Sequence, residues 1–335
     1  MRPPSARATK AIRAMQARVQ RDEGGRGIAA LVRPDQLLTA AQTLLQPPPS
    51  ATRGGVLLLT GFPCLRERTP PVESDGPPGA VTLACTLLAL GCTPVTMLIE
   101  DHSAKVLQSC ADAVGASGAE VAAFPTQDRW STADEARLDA LLDGASSVLS
   151  IERAGDSADG TCYTMRGLPM GPSLMGRINQ VAMPGRGVRT IGIGDGGNEL
   201  GMGSLHDDIV RSIPLGGQIG CVVPSDAPLI ASVSNWGGYA LSCALAVLAW
   251  DTAWDSGMRR QGMSAAAGAS DSGGQFLRNL VPDSAAARRT LLACSEAGAM
   301  DGITGAGGGS VDGMALEVHL EVLEELRVIA LDGMS

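Results

Sequence analysis

The chain has 335 residues, 44% of them hydrophobic and 18% charged, a composition that excludes a disordered chain and gives ample surface to bury one large or two ordinary cores. A formal net charge of −9 argues against a nucleic-acid or anionic-membrane surface, because phosphate groups need a basic face. Eight cysteines with no Cys-x-x-Cys pair read as reduced, buried small side chains of an intracellular protein, not as a disulfide framework or a zinc site.

The first 21 residues carry Arg2, Arg7, Lys10, Arg13, Arg18 and Arg21 and no acid, which fits either an organellar transit peptide or an ordinary basic first helix over 8–19. A helix follows at 34–45, with Leu37, Leu38, Ala41 and Leu45 on one face, and Pro47-Pro48-Pro49 ends it. Short apolar strands then alternate with helices. Strands are expected at 56–60, 95–99, 120–124, 147–151, 188–193 and 218–223, and helices at 80–90, 102–114, 134–142, around 173–181, and at 207–213. The longest apolar run, 236–250, is too short to cross a bilayer comfortably and reads as a buried helix. Residues 258–274, rich in Gly, Ser and Ala, form a surface loop, and two last helices near 285–297 and 315–326 flank a glycine cluster, ITGAGGGSVDG (303–313). Fully apolar strands alternating with helices predict one α/β domain, doubly wound, with a mostly parallel sheet of about six strands and helices on both faces.

In such a sheet ligands bind beyond the carboxyl ends of the strands. Four of the expected loops there are rich in glycine and carboxylates. They are ESDGPPGA (73–80), ERAGDSADG (152–160), TIGIGDGGNELGMG (190–203) and SNWGG (234–238). Their convergence on one edge predicts a single polar site. Other motifs are negative: a P-loop and a Gly-x-Ser-x-Gly elbow are absent, and the three histidines lack metal spacing. Gly192, Gly194 and Gly197 formally satisfy G-x-G-x-x-G, but Gly192 falls inside the strand and further glycines delay any helix.

These segments, in this order and spacing, resemble the D-glutamate cyclase family, as found in the carboxy-terminal domain of the animal enzymes and in stand-alone bacterial relatives. GDGGNE-x-GMG and SNWGGYAL carry the resemblance, and weaker similarity runs from RDEGGRGI near the amino terminus to the last helix. Residues 1–18 then form an extension or first helix and 19–335 the cyclase-like domain. Ser74 stands where Thr is usual, Asp156 where a basic residue is common, and Cys162 where a second Tyr is common. Pro224-Ser225 precede Asp226 where Glu-Ala is usual.

The resemblance implies a hydro-lyase that converts D-glutamate to 5-oxo-D-proline and water, in the mitochondrial matrix or cytoplasm, with no nucleic-acid or membrane partner; it leaves the oligomeric state open. The α-amine attacks the γ-carboxyl carbon, so the site needs a base, an anchor for the α-carboxylate, and donors or a metal for the oxyanion. Asp195 or Asp75 is the expected base or metal ligand. Arg153 is the expected anchor, and Asn198, Asn235 and the amides of Gly194, Gly196 and Gly197 are the expected oxyanion donors. Glu73, Ser74, Gly76, Glu152, Asp159, Glu199 and Ser234 complete the expected substrate surface. Glu73, Glu152, Asp159 and Glu199, with Asp75 and Asp195, are candidates to hold Mg²⁺ or Mn²⁺, since hard cations take oxygen ligands. A nucleotide-binding enzyme or sensor, and a non-catalytic binder of acidic amino acids, are the alternatives on the same fold.

Overall fold

The computed structural model describes residues 3–46, 54–256, 280 and 283–333. Two helices, α1 (Ala6–Val19) and α2 (Gln36–Leu45), precede the sheet. The chain then runs β1 (Gly55–Gly61), α3 (Pro77–Ala89), β2 (Val95–Glu100), α4 (Ala104–Val114), β3 (Ala119–Phe124), α5 (Thr132–Gly144) and β4 (Ala145–Arg153). A small antiparallel pair, β5 (Cys162–Tyr163) and β6 (Pro169–Met170), leads to β7 (Arg189–Gly194), α6 (His206–Ser212), α7 (Gly216–Ile219) and β8 (Ala227–Ile230). Helices α8 (Ser234–Ser256), α9 (Ser284–Glu296) and α10 (Leu316–Asp332) follow.

Six strands form one parallel sheet in the order β3-β2-β1-β4-β7-β8. The chain starts in the middle, winds outward through β2 and β3, and returns to place β4 on the other side of β1. That reversal opens a crevice beyond the carboxyl ends of β1 and β4, where doubly wound proteins bind ligands. Alternation along each strand feeds two cores. Val56 and Leu58 face a layer built from α1–α4 and α8–α10, while Leu57 and Leu59 face α5, α6 and a 3-10 turn at Ile178–Ala182. The sheet is thus covered on both faces.

Helix α8 is apolar on every side because it lies between other helices, packing on α1, α2, α3 and α10. It crosses α3 almost backbone to backbone. A Cβ on Gly79 would stand 2.6 Å from Ile151 Cδ1 and 3.0 Å from Asn235 Cα, and one on Gly238 would stand 3.1 Å from Gly79 Cα. These two glycines therefore bring the amino-terminal turns of both helices together. Among the described residues no helix is long and apolar enough to cross a membrane.

Three expectations need correction. The sixth strand is β8 (Ala227–Ile230), not 218–223; Gly216–Ile219 is a helical turn, and Val222 is exposed. Pro228 hid β8 from the sequence pattern, yet β8 is an edge strand, where a residue without an N–H is tolerated. The helix around 173–181 is only the 3-10 turn, and α3 begins at Pro77 because the prolines occupy its first turn, where no amide partner is lost. The basic amino-terminal stretch is α1, whose Ile12, Met15 and Val19 are fully buried. The 258–274 loop and Pro47-Pro48-Pro49 lie outside the described residues.

Under the sheet's carboxyl edge, Arg153 at the end of β4 is fully buried. It donates Nη1 and Nη2 to the Glu100 carboxylate at 2.6 and 2.7 Å and Nε to Asn179 at 2.7 Å. Burial alone would raise the Glu100 carboxyl, but Arg153 and the Gly176 amide hold it below its ordinary value. A buried carboxylate stripped of its partner is costly, so Arg153→Met is expected to lower stability by about 3–5 kcal/mol at neutral pH. Glu100 contributes stability above its unfolded value and loses it in acid. The deficit measured by urea titration should therefore shrink as pH falls. The shrinkage begins above the ordinary carboxylate range, where the orphaned and burial-raised carboxyl of the variant takes up a proton, and continues below about 4, where wild type loses its own Glu100 contribution.

Candidate active site

Two helix amino termini meet at the crevice and cap each other. After β1 the chain reaches Asp75, whose carboxylate accepts the amides of Gly76 (3.0 Å), Asn235 (2.7 Å) and Ser234 (2.8 Å), the last two from the first turn of α8. Asn235 returns the contact. Its side-chain oxygen accepts the amides of Gly76 and Gly79 at 3.1 and 2.7 Å, in the first turn of α3, and its Nδ2 donates to the Ser74 carbonyl. Unpaired first-turn amides are thereby satisfied at both helices. Gly76, the cap of α3, holds φ +101°, and a Cβ there would strike Thr60 Oγ1 and Glu152 Cβ.

At the end of β4, Glu152 adopts φ +42°, a left-handed conformation unusual for a residue with a side chain, and accepts the Ser234 hydroxyl at 2.5 Å. Asp195 stands just past β7. One oxygen from each of Asp75, Glu152 and Asp195 lies within 4.8 Å of the others, and all three residues are buried. This trio could hold a metal ion.

Two residues that the sequence analysis left out of the site complete it. Arg26 comes from the turn after α1, where Asp22 accepts the Arg26 and Gly27 amides at 2.9 and 2.8 Å. Ser232, beyond β8, ties that turn down through the Val19 carbonyl and the Glu23 amide. Asp312 is delivered by the carboxy-terminal glycine loop, which folds around buried Asp301. Asp301 accepts the amides of Ile303, Thr304 and Gly313 and the Ser310 hydroxyl. The Arg26 guanidinium pairs with Asp195 through one nitrogen and with Asp312 through the other. Both were signalled only weakly: Arg26 inside RDEGGRGI, Asp312 inside the glycine cluster.

Electrostatics follow from this crowding. Burial first, then the neighbouring acids, pushes Glu73, Asp75, Glu152 and Asp312 well above the ordinary carboxylate range. Asp195 is also raised by burial, but the Arg26 guanidinium pulls back. Cys64 lies beside Glu73, and burial together with that acid raises its thiol. The centre therefore offers acids poised to donate protons, and acceptor oxygens suited to a cation.

Glu73, Ser74, Asp75, Gly76, Glu152, Asp195, Ser234 and Asn235 all reach this centre, with different duties. The Ser74 hydroxyl donates to the Ser310 carbonyl at 2.7 Å and so ties the glycine loop to the site. Other expected members do not reach it. Arg153 is spent on Glu100 and Asn179 and cannot anchor a ligand carboxylate. Asp159 is exposed and closes its own turn with Ser157, Thr161 and Tyr163, which lowers its carboxyl to about 2. Glu199 accepts the amides of Asp195, Gly196 and Gly197 at 3.1, 2.7 and 2.7 Å, so these donors are not open to an oxyanion or a phosphate. A Cβ on Gly194 would collide with the Glu199 carboxylate. Asn198 donates to the Tyr163 carbonyl, while its own oxygen is buried without a partner. The departing residues Asp156 and Cys162 touch each other and Asp156 also touches Asn179, beside Arg153.

A family model described as "D-glutamate cyclase-like, C-terminal" matches residues 15–327. The human protein "D-glutamate cyclase, mitochondrial" is 33% identical over 334 residues, which covers 96% of this chain and 52% of the human protein. The chain thus spans about half the length of that relative. The family match runs through Arg26, all four strand-end loops and Asp312, and the chain belongs to the D-glutamate cyclase-like family.

Proposed function

We propose that the protein is a hydro-lyase that cyclises D-glutamate to 5-oxo-D-proline, releasing water. The observation that carries this is the buried set of carboxyls at the switch point, built from Asp75, Glu152, Asp195, Glu73 and Asp312 around one guanidinium. The reaction forms a bond between the α-nitrogen and the carbon of the γ-carboxyl group and breaks that carbon's bond to hydroxyl; the nitrogen gives up a proton and the hydroxyl takes one up to leave as water. An amine is a nucleophile only when neutral, and a γ-carboxyl is an electrophile only when its charge is removed. A low-dielectric pocket rich in raised acids favours the protonated γ-carboxyl and supplies protons for the leaving hydroxyl.

The geometry supports Asp195 over Asp75 as the base. Both Asp75 oxygens are taken by the amides of Gly76, Ser234 and Asn235, whereas Asp195 Oδ2 is buried with no partner. Asp75 then fixes the two helices, and Glu152, steadied by Ser234, faces the reacting carboxyl. With the amides of Asp195, Gly196 and Gly197 engaged by Glu199, neutral carboxyls become the donors for the oxyanion. A Mg²⁺ or Mn²⁺ held by Asp75, Glu152 and Asp195 would supply the same charge neutralisation. The amino-acid substrate is a small molecule, and eight free cysteines fit a reducing compartment, the mitochondrial matrix or the cytoplasm.

Incubating the purified protein with D- and L-glutamate and following 5-oxoproline by chiral chromatography tests the reaction. Product is expected from the D-form alone; none from either form overturns the assignment. Loss of product on EDTA treatment, restored by Mn²⁺ or Mg²⁺, is the outcome expected if the acidic trio carries a metal. Asp195→Asn is expected to lower kcat by about 10²–10⁴-fold, the usual worth of a positioned base, while circular dichroism stays unchanged. Turnover within twofold of wild type would move the base elsewhere.

A further inference from the structure

Arg26 serves two carboxyls with two different nitrogens: Nη1 meets Asp195 Oδ1, and Nη2 donates to Asp312 Oδ1 at 2.5 Å. The two carboxyls lie within hydrogen-bonding reach of each other, and the second oxygen of each aspartate, Oδ2, is buried with no donor against it. Such atoms are rare in folded proteins and mark places where something else completes the bonding. The Arg26 side chain keeps 16% exposure, against 4% and 3% for those of Asp195 and Asp312, so of the three it lies nearest to solvent. A guanidinium flanked by two buried acceptor oxygens with no donor against them is the charge complement of one chemical unit, the head of a free α-amino acid. There a carboxylate and an ammonium share a single carbon.

We propose that Arg26, Asp195 and Asp312 form the subsite for the amino-acid head of the substrate, Arg26 taking the α-carboxylate and the two Oδ2 atoms taking the α-amino group. This rests on the cyclase assignment for which amino acid binds, and it adds a carboxylate anchor and a second amine acceptor. It places the nitrogen against Asp195 and leaves the other carboxyl of the ligand toward Asp75, Glu152 and Ser234. It also sets specificity. A dicarboxylate without an amine brings nothing to satisfy the two aspartate oxygens, so the subsite disfavours it.

Thermal-shift titration of the full chain with D-glutamate and with glutarate, which has the same two carboxylates and no amine, tests the subsite. Wild type is expected to bind D-glutamate at least about tenfold more tightly than glutarate, the worth of one hydrogen bond to a charged group. Asp312→Asn should weaken D-glutamate by about ten- to hundredfold and leave glutarate binding unchanged, because only the amine loses an acceptor. A purely structural role would weaken both ligands alike, and that outcome, or unchanged D-glutamate binding, overturns the proposal. If Asp312→Asn does not fold, the wild-type titrations decide: glutarate binding as tightly as D-glutamate overturns it. Wild-type binding of D-glutamate without 5-oxoproline formation would defeat the cyclase assignment and leave the head subsite standing. Turnover by wild type with no such selective loss of D-glutamate binding in the folded variant would defeat the subsite alone.

Discussion

Five acidic side chains share one buried space with one arginine, and everything around the crevice serves to make that tolerable. An ionised carboxylate removed from water without compensation is among the most costly features a fold can contain. Three kinds of compensation appear here. Backbone amides stabilise Asp75 and Glu199, the Arg26 guanidinium stabilises Asp195 and Asp312, and proton uptake is favoured at Glu73 and Glu152. The last of these is itself chemistry: acids that hold protons in the folded state are available to give them away.

The scaffold supplies the amides by crossing two helices at their amino termini. Gly79 and Gly238 permit the close approach, and Asp75 and Asn235 then each satisfy the opposite helix. This reciprocal capping ties the loop after β1 to the loop after β8 through hydrogen bonds in both directions. The aromatic in the same segment has a separate duty. Trp236 is fully buried, donates its ring nitrogen to His319 Nδ1 at 2.9 Å, and lies under Arg18, which locks α8 to α1 and α10. SNWGG is therefore half site and half core.

Arg153 shows how a fold can separate two readings of one residue. A guanidinium directly following a strand-end glutamate resembles a ligand anchor, but β4 is extended to that residue and turns its side chain beneath the sheet edge to Glu100 of β2. Arg26, from a turn more than a hundred residues earlier, occupies the place instead. The glycine motif after β7 is similar: its amides form an anion-binding turn, and the chain fills that turn with its own Glu199.

Local chemistry in the sequence carried the fold class, most strand and helix positions, and the four loops that meet at the crevice. Short apolar strands, glycine punctuation and clustered carboxylates are properties of adjacent residues, and hydrophobic alternation reports them directly. The edge strand at Ala227–Ile230 escaped because Pro228 breaks the local strand pattern while its position at the sheet edge makes the missing amide harmless. Which carboxylates touch was beyond local reading. Arg26 and Asp312 stand 286 positions apart and meet because α1 and α10 pack against each other and against the same helix, α8. The exclusion of Arg153, Asp159 and the amides of Asp195, Gly196 and Gly197 was decided the same way. A donor's availability depends on which partner the packed chain brings within about 3 Å, a distance that no spacing along the sequence encodes.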